Sequence, residues 1–175
     1  MSKKLEDYIL TIPNFPKDGI MFRDVTTLMQ DPVGFKLAID SVCDILKDLD
    51  FDYVVGPESR GFIFGTPVAY KMEKGFIPVR KKGKLPRATV SEEYQLEYGS
   101  AIMEMHKDSL KSGDKVVIID DLIATGGSLK CVIDLVEMLG GEVVKVISII
   151  ELKGLQARKK LEEYDVESLI SYPGI

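Results

Sequence analysis

Val116-Val117-Ile118-Ile119-Asp120-Asp121-Leu122-Ile123-Ala124-Thr125-Gly126-Gly127-Ser128 is the stretch on which the fold turns. Its apolar, β-branched opening, continuous from Lys115, is a buried-strand signal, and it ends on two adjacent carboxylates. After a short loop, Leu129, Val132, Ile133, Val136 and Leu139 recur at helical spacing, and Gly140-Gly141 supplies a stop. Val143 to Ile150 is again β-branched and apolar. Strand, loop, helix and strand in this order imply a right-handed βαβ crossover in a parallel sheet. The fold class is therefore α/β, a central, mostly parallel sheet flanked by helices.

The same stretch carries the strongest chemical signal. In α/β proteins the strand ends converge on the crevice where ligands bind. Thr125, Gly126, Gly127 and Ser128 can turn backbone N–H groups and two hydroxyls toward a phosphate at the helix N-terminus. The paired glycines permit close approach and a tight turn. Asp120 and Asp121 repel such a phosphate, so they should face ribose hydroxyls or a divalent cation. The plainer alternative is an ordinary βα loop with a Ser N-cap. A Walker-type phosphate loop is excluded because no Gly-Lys-Ser or Gly-Lys-Thr occurs, and the G-x-G-x-x-G dinucleotide fingerprint is missing here.

Working outward, Tyr53-Val54-Val55-Gly56 has the length of a buried strand, followed by a turn from Pro57 to Gly61 and a helix from about Phe62 to Glu73. Upstream, Asp31-Pro32 reads as an N-cap with Pro at the first helical position. Phe35, Ile39, Val42, Leu46 and Leu49 then form an apolar stripe. Phe76-Ile77-Pro78-Val79 reads as a strand whose Pro marks an edge or an end. Residues 80–99 match neither period and contain Arg80, Lys81, Lys82, Lys84 and Arg87; a loop this long inside a compact domain is usually functional or disordered. Ala101 to His106 resumes as a strand, and Lys111 to Asp114 reads as a turn. Residues 1 to about 30 form a separate N-terminal element within a single domain spanning 1–175.

The chain has 175 residues, 45% of them apolar, no Trp, and a formal charge of −5. That charge argues against broad nucleic-acid binding, where basic surface supplies most of the affinity. No run approaches the roughly 20 apolar residues a membrane span needs. The N-terminus lacks the apolar stretch of a signal peptide, so a cytoplasmic protein is expected. Cys43 and Cys131 make neither a metal pattern nor a disulfide framework and read as small buried hydrophobes. The lone histidine, His106, reads as structural or solvated.

Asp120-Asp121-x-x-Ala124-Thr125-Gly126-Gly127-Ser128 resembles the signature with which type I phosphoribosyltransferases bind 5-phosphoribosyl 1-pyrophosphate (PRPP). The family more often has Thr where Ser128 stands; Ser keeps the hydroxyl. The resemblance implies that Ala124, Thr125, Gly126, Gly127 and Ser128 hold the 5′-phosphate, while Asp120 and Asp121 hold the ribose 2′- and 3′-hydroxyls. It implies the type I fold, with a small N-terminal hood over residues 1–30 and a long flexible catalytic loop over 80–99.

Three further segments match in order. Phe15-Pro16-Lys17-Asp18-Gly19-Ile20-Met21-Phe22-Arg23-Asp24 resembles the base-contacting motif of the adenine-using members. Phe22 is then the aromatic that stacks on the purine, worth about 1–3 kcal/mol in base-stacking systems, with backbone groups at Met21 and Arg23 reading its edge. Gly56-Pro57-Glu58-Ser59-Arg60-Gly61-Phe62 resembles the pyrophosphate loop, which places Glu58, Ser59 and Arg60 on pyrophosphate and implies a non-proline cis peptide at Glu58-Ser59. Arg80-Lys81-Lys82-Gly83-Lys84-Leu85-Pro86, with Tyr94-x-Leu96-Glu97-Tyr98-Gly99, resembles the catalytic loop. It implies a lid in which Lys81, Lys84 and Arg80 meet the departing pyrophosphate and Tyr98 packs over the closed site. Glu97 then accepts a proton, stabilises the cation, or merely orders the loop.

The resemblance implies a Mg²⁺-dependent reaction of adenine with PRPP giving AMP and pyrophosphate, a purine-salvage step on a homodimer. Mg²⁺ is expected to bind mainly through substrate oxygens, with no direct protein ligand. The rivals are an enzyme for another base, a PRPP-sensing regulator without catalysis, and an enzyme that makes PRPP. The short, acidic chain with its N-terminal base motif and intact loops speaks against all three.

Overall fold

The computed structural model describes residues 3–96 and 99–174. Its core is a seven-stranded sheet in the order β5-β6-β4-β3-β7-β8-β9. Four neighbouring strands, β3 (Tyr53–Pro57), β7 (Lys115–Ile123), β8 (Glu142–Leu152) and β9 (Val166–Tyr172), pair in parallel, and β4 (Gly75–Lys81) joins β3 in the same sense. On the far side of β4, β6 (Ser100–His106) and β5 (Thr89–Gln95) run antiparallel.

Helices cover both faces, so the central strands are apolar on both sides, as parallel sheets require. Val54, Val117, Ile119, Ile147 and Ile149 pack toward α2 (Pro32–Leu46) and α3 (Arg60–Lys71). Their alternates Val55, Val116, Ile118 and Val146 pack toward α4 (Gly127–Met138). The Asp31 carboxylate accepts from the N–H groups of Val33 and Gly34, each at 2.9 Å, and so caps α2 as expected. Ile39, Val42 and Leu46 of the expected stripe are buried. After α4, the N–H groups of Gly140 and Gly141 return to the carbonyls of Glu137 and Val136. The two glycines therefore end the helix by satisfying its last carbonyls.

The N-terminal element is a two-stranded antiparallel sheet, β1 (Leu10–Pro13) and β2 (Met21–Asp24), followed by α1 (Val25–Gln30). Pro78 lies in the part of β4 that pairs with β3 alone, because β6 joins only at Arg80 and Lys81. It tolerates its missing N–H as an edge position would.

The expectation of one long irregular stretch over 80–99 is corrected. Thr89–Gln95 is a strand paired with β6, from Thr89↔His106 to Gln95↔Ser100. Its inward positions alternate with Ser91, Glu93 and Gln95, and the two glutamates beside the basic run conceal the period of two. The helix expected from Phe62 begins two residues earlier, at Arg60. Neither β9 nor the short β1 and β2 was anticipated.

Candidate active site

The carboxylates that close the β7 run stay inside. Asp120 and Asp121 are only 7% and 5% exposed, and the Asp121 N–H donates to Asp120 Oδ1 at 2.9 Å. Burial, then the negative charge of Asp121, pushes the Asp120 carboxyl well above the usual carboxylate range. Asp121 is also raised by burial, but Arg60 opposes the shift, with Nε 2.7 Å from Oδ2. Arg60 opens α3, and the next residue has no side chain for a reason. A Cβ at Gly61 would stand 3.2 Å from Asp120 Oδ1 and 3.1 Å from the Ile119 carbonyl oxygen. The first turn of α3 thus lies directly on the acidic pair.

The loop 124–128 leads from β7 into α4. Gly126 is the N-cap with φ +79, the left-handed region that favours glycine, and its carbonyl accepts from the Lys130 N–H at 2.9 Å. Gly127 and Ser128 occupy the first helical turn, so the N-cap is Gly126 and not the Ser of the plainer alternative. No side chain caps the helix, so its first N–H groups have no cap acceptor. Thr125 and Ser128, with Tyr94 and Lys160, line a cavity of about 510 Å³.

Opposite this loop, at the end of β3, the Glu58–Ser59 peptide is cis. Glu58 gathers three nitrogen donors. Lys84 Nζ lies 2.6 Å from Oε1, while Arg80 Nε at 3.2 Å and the Lys81 N–H at 3.1 Å reach Oε2. The hydrogen bond from Lys84 leads in holding Glu58 down at about 2. Of the basic stretch, Arg80 and Lys84 are therefore brought onto the pyrophosphate-loop segment, and the Lys81 side chain is left exposed.

Ser59, Arg60, Asp120, Asp121, Ala124 and Ser128 line one cavity of about 420 Å³. Tyr94 and Met103 line it too, contributed by the β5–β6 pair; sequence reasoning gave Met103 no role, and no motif marks it. Met21, Phe22 and Arg23 are not among the described residues of that wall. They stand on β2, where Phe22 packs edge-on against Phe15 at 5.1 Å and the Arg23 guanidinium lies 3.9 Å from the Tyr172 ring centroid on β9. Glu97 and Tyr98 lie outside the described residues. His106 is buried on β6, the structural alternative.

Among the described residues no cluster of three or more His, Cys, Asp or Glu could hold a metal ion. Asp120 and Asp121 offer hard carboxylate oxygens at the cavity edge, which suit Mg²⁺ only alongside oxygens from a ligand and water.

A mostly parallel sheet whose strand ends carry an acidic pair, a small-residue helix-capping loop and a cationic cluster around one cleft suits a hydroxyl-bearing ligand with phosphate groups. The chain belongs to the phosphoribosyltransferase family: the model for the phosphoribosyl transferase domain matches residues 34–172. It is a glycosyltransferase of the pentosyl-transferring class with the type I fold. Its relatives narrow the family to one branch. The adenine phosphoribosyltransferase of Lachnoclostridium phytofermentans is 60% identical over 172 residues, 98% of this chain and 99% of that one. The crystal structure of adenine phosphoribosyltransferase from Thermoanaerobacter pseudethanolicus superposes with a TM-score of 0.92 at 48% identity, covering 96% of this chain and 98% of that one. The enzyme of Saccharomyces cerevisiae, solved with an imino-altritol bisphosphate and adenine, gives 0.88 at 38% identity, covering 94% and 96%.

Proposed function

We propose that this chain transfers the 5-phosphoribosyl group of PRPP to adenine, forming AMP and releasing pyrophosphate in purine salvage. The observation that carries the reading is the placing of Asp120 and Asp121 between the helix-capping loop 124–128 and the Ser59–Arg60 turn around a single cleft. The spacing suits a substrate with a phosphate at one end, a diol in the middle and a pyrophosphate at the other. Full-length relatives named for the adenine reaction support the choice of base.

In this reading the N–H groups and hydroxyls of Ala124 to Ser128 take the 5′-phosphate, and Asp120 and Asp121 accept from the ribose hydroxyls. Ser59 and Arg60 take pyrophosphate. An ionised Glu58 repels an anion, so its part is to hold Arg80 and Lys84 at the mouth of the cleft, where with Lys81 they offset charge on the leaving group. The bond from C1 to the pyrophosphate oxygen breaks, adenine attacks C1 from the opposite face, and the adenine ring proton is lost. Glu97 is positioned in sequence to accept that proton, with Tyr98 beside it. Phe22 stacks on the base, and backbone groups at Met21 and Arg23 read its edge. Mg²⁺ held mainly by the substrate, with the Asp120 and Asp121 carboxylates nearby, would supply charge neutralisation to the leaving group. We place the reaction in the cytoplasm and, by family resemblance, on a homodimer; no helix among the described residues is long and apolar enough to cross a membrane.

The test is pyrophosphate release from PRPP and Mg²⁺ with adenine, hypoxanthine, guanine, xanthine, orotate and uracil supplied separately. Turnover with adenine alone is expected. Turnover with another base overturns the base assignment, and PRPP binding without turnover points to a regulator.

A further inference from the structure

The segment after β8 takes no part in the roles above, yet it is held in place with unusual care. Two 3-10 turns, Lys153–Leu155 and Ala157–Lys159, lead away from the strand. Arg158 forks onto Glu151, with Nε 2.8 Å from Oε1 and a terminal nitrogen 2.7 Å from Oε2, and its other terminal nitrogen donates to the Val166 carbonyl. The Ser168 hydroxyl completes the set at 2.8 Å from Oε2. Glu151 is 2% exposed, and a carboxylate so buried persists only when its charge is matched, so this fork fixes the turn against the sheet.

The fixed turn presses on the phosphate loop. A Cβ at Gly126 would stand 3.1 Å from Ala157 Cβ and 3.3 Å from the Ala157 carbonyl oxygen. That same carbonyl accepts from the Lys160 N–H at 2.9 Å, and Lys160 joins Thr125 and Ser128 in the wall of the cavity beside the loop. Of the other cations around the cleft, Arg60 is committed to Asp121 and Arg80 and Lys84 to Glu58, while the exposed Lys81 stands beside Glu58, on the pyrophosphate side. The Lys160 ammonium is exposed and has no carboxylate partner among the described residues.

Charge arithmetic gives such a cation a use. A phosphate monoester carries about −1.5 to −2 at neutral pH, whereas a helix N-terminus offers only about half a positive charge. The hydroxyls of Thr125 and Ser128 add dipoles but no net charge, and the two aspartates behind the loop are of the wrong sign. Building on the reading of 124–128 as the 5′-phosphate cradle, we propose that Lys160 is a further substrate-binding residue. Its ammonium supplies the full positive charge to the 5′-phosphate, brought there by the Glu151–Arg158 fork.

The probes are ribose 5-phosphate and inorganic pyrophosphate, each titrated calorimetrically with Mg²⁺ into the full chain, wild type, Lys160→Ala and Lys160→Arg. Loss of one charge-assisted contact at an exposed position predicts that Lys160→Ala weakens ribose 5-phosphate about tenfold. The same variant should leave pyrophosphate binding unchanged, raise KM for PRPP, and flatten the salt dependence of ribose 5-phosphate binding. Lys160→Arg should restore most of the affinity. Unchanged ribose 5-phosphate binding in Lys160→Ala, or an equal loss for both ligands, overturns the proposal. A wild type that binds ribose 5-phosphate but turns over no base overturns the reaction while leaving Lys160 in place. A wild type that binds no ribose 5-phosphate overturns the cradle and the part of Lys160 in it, and one that also turns over no base overturns the reaction as well.

Discussion

Arg60 Nε lies 2.7 Å from Asp121 Oδ2, and this contact joins the segment following β3 to the end of β7 across the cleft. The Arg60 side chain is 46% exposed while that of Asp121 is 7% exposed, so the pair is a buried anion reached by a cation from the solvent side. A ligand with a diol beside a pyrophosphate can engage both members from the same direction. Replacing both acidic side chains by Asp120→Asn plus Asp121→Asn keeps the shape and removes the charge. Two hydrogen bonds to charged acceptors are worth about 1.5 kcal/mol or more each, so kcat/KM for PRPP should fall about a hundredfold or more. Circular dichroism should report an intact fold. Unchanged kinetics with PRPP in that double variant would remove the ribose-hydroxyl assignment.

The buried pair also sets a pH dependence of stability. Asp120 has a folded-state pKa raised above its ordinary 3.8 by burial and by Asp121. Below that ordinary value both folded and unfolded chains hold the proton, and the group costs nothing. As pH rises, the unfolded chain ionises first, so stability falls until the folded pKa is passed. Asp120→Asn cannot ionise, and its amide oxygen keeps the acceptor for the Asp121 N–H. Thermal denaturation should therefore give Asp120→Asn a higher Tm than wild type at pH 7 and the same Tm near pH 3. A wild type that is the more stable at pH 7 contradicts the burial argument.

Glu58 has the opposite sign. Lys84, the Lys81 N–H and Arg80 hold its pKa at about 2, below the ordinary 4.5, so the cluster stabilises the fold above pH 4.5 and loses that contribution as pH falls toward 2. Glu58→Gln lacks this component, and its acid-denaturation curve should be flatter between those values than that of wild type. The same variant releases Lys84 from its partner at 2.6 Å, and KM for PRPP should change as the basic cluster loses its anchor. Identical acid limbs for the two proteins would remove Glu58 from the cluster's energetics.

The parallel core was legible because its strands are buried on both faces: Val116 to Ile119 is a continuous apolar run, Val143 to Ile150 is apolar but for Lys145 and Ser148, and the loop that follows the first is built from residues with few alternative uses. Asp31-Pro32 announced α2 for the same local reason. The antiparallel β5 was hidden because its inward apolar positions, Val90 and Tyr94, are separated by a third inward position filled by Glu92, and Glu93 stands outward beside it. The segment 153–161 carries no periodic pattern at all. Its place depends on one ion pair, Glu151 with Arg158, between residues seven apart, and on Ala157 meeting a glycine in another loop. Such contacts have no signal in spacing, which is also why Lys160 and Met103 escaped notice as neighbours of the cleft.

The N-terminal element touches the body of the protein through a contact of the same hidden kind. The Arg23 guanidinium lies 3.9 Å from the Tyr172 ring centroid and also donates to Thr11 Oγ1, tying β2 to β1 and to the last strand of the main sheet. Arg23 Nε is buried with no hydrogen-bond partner, so the ring face is what compensates part of its charge. Phe22, the residue proposed to stack on the base, is the immediate neighbour of this strut. Tyr172→Ala should loosen β2 and raise KM for adenine about fivefold, the equivalent of about 1 kcal/mol for a partly desolvated cation–π contact. KM for PRPP, none of whose proposed contacts lies on β1 or β2, should stay within twofold of wild type, about the scatter expected between distant sites. Tyr172→Phe keeps the ring face and should behave as wild type with both substrates. An equal rise in both KM values, or a Phe variant as impaired as the Ala variant, would show that Tyr172 acts through general stability or its hydroxyl and not by positioning β2.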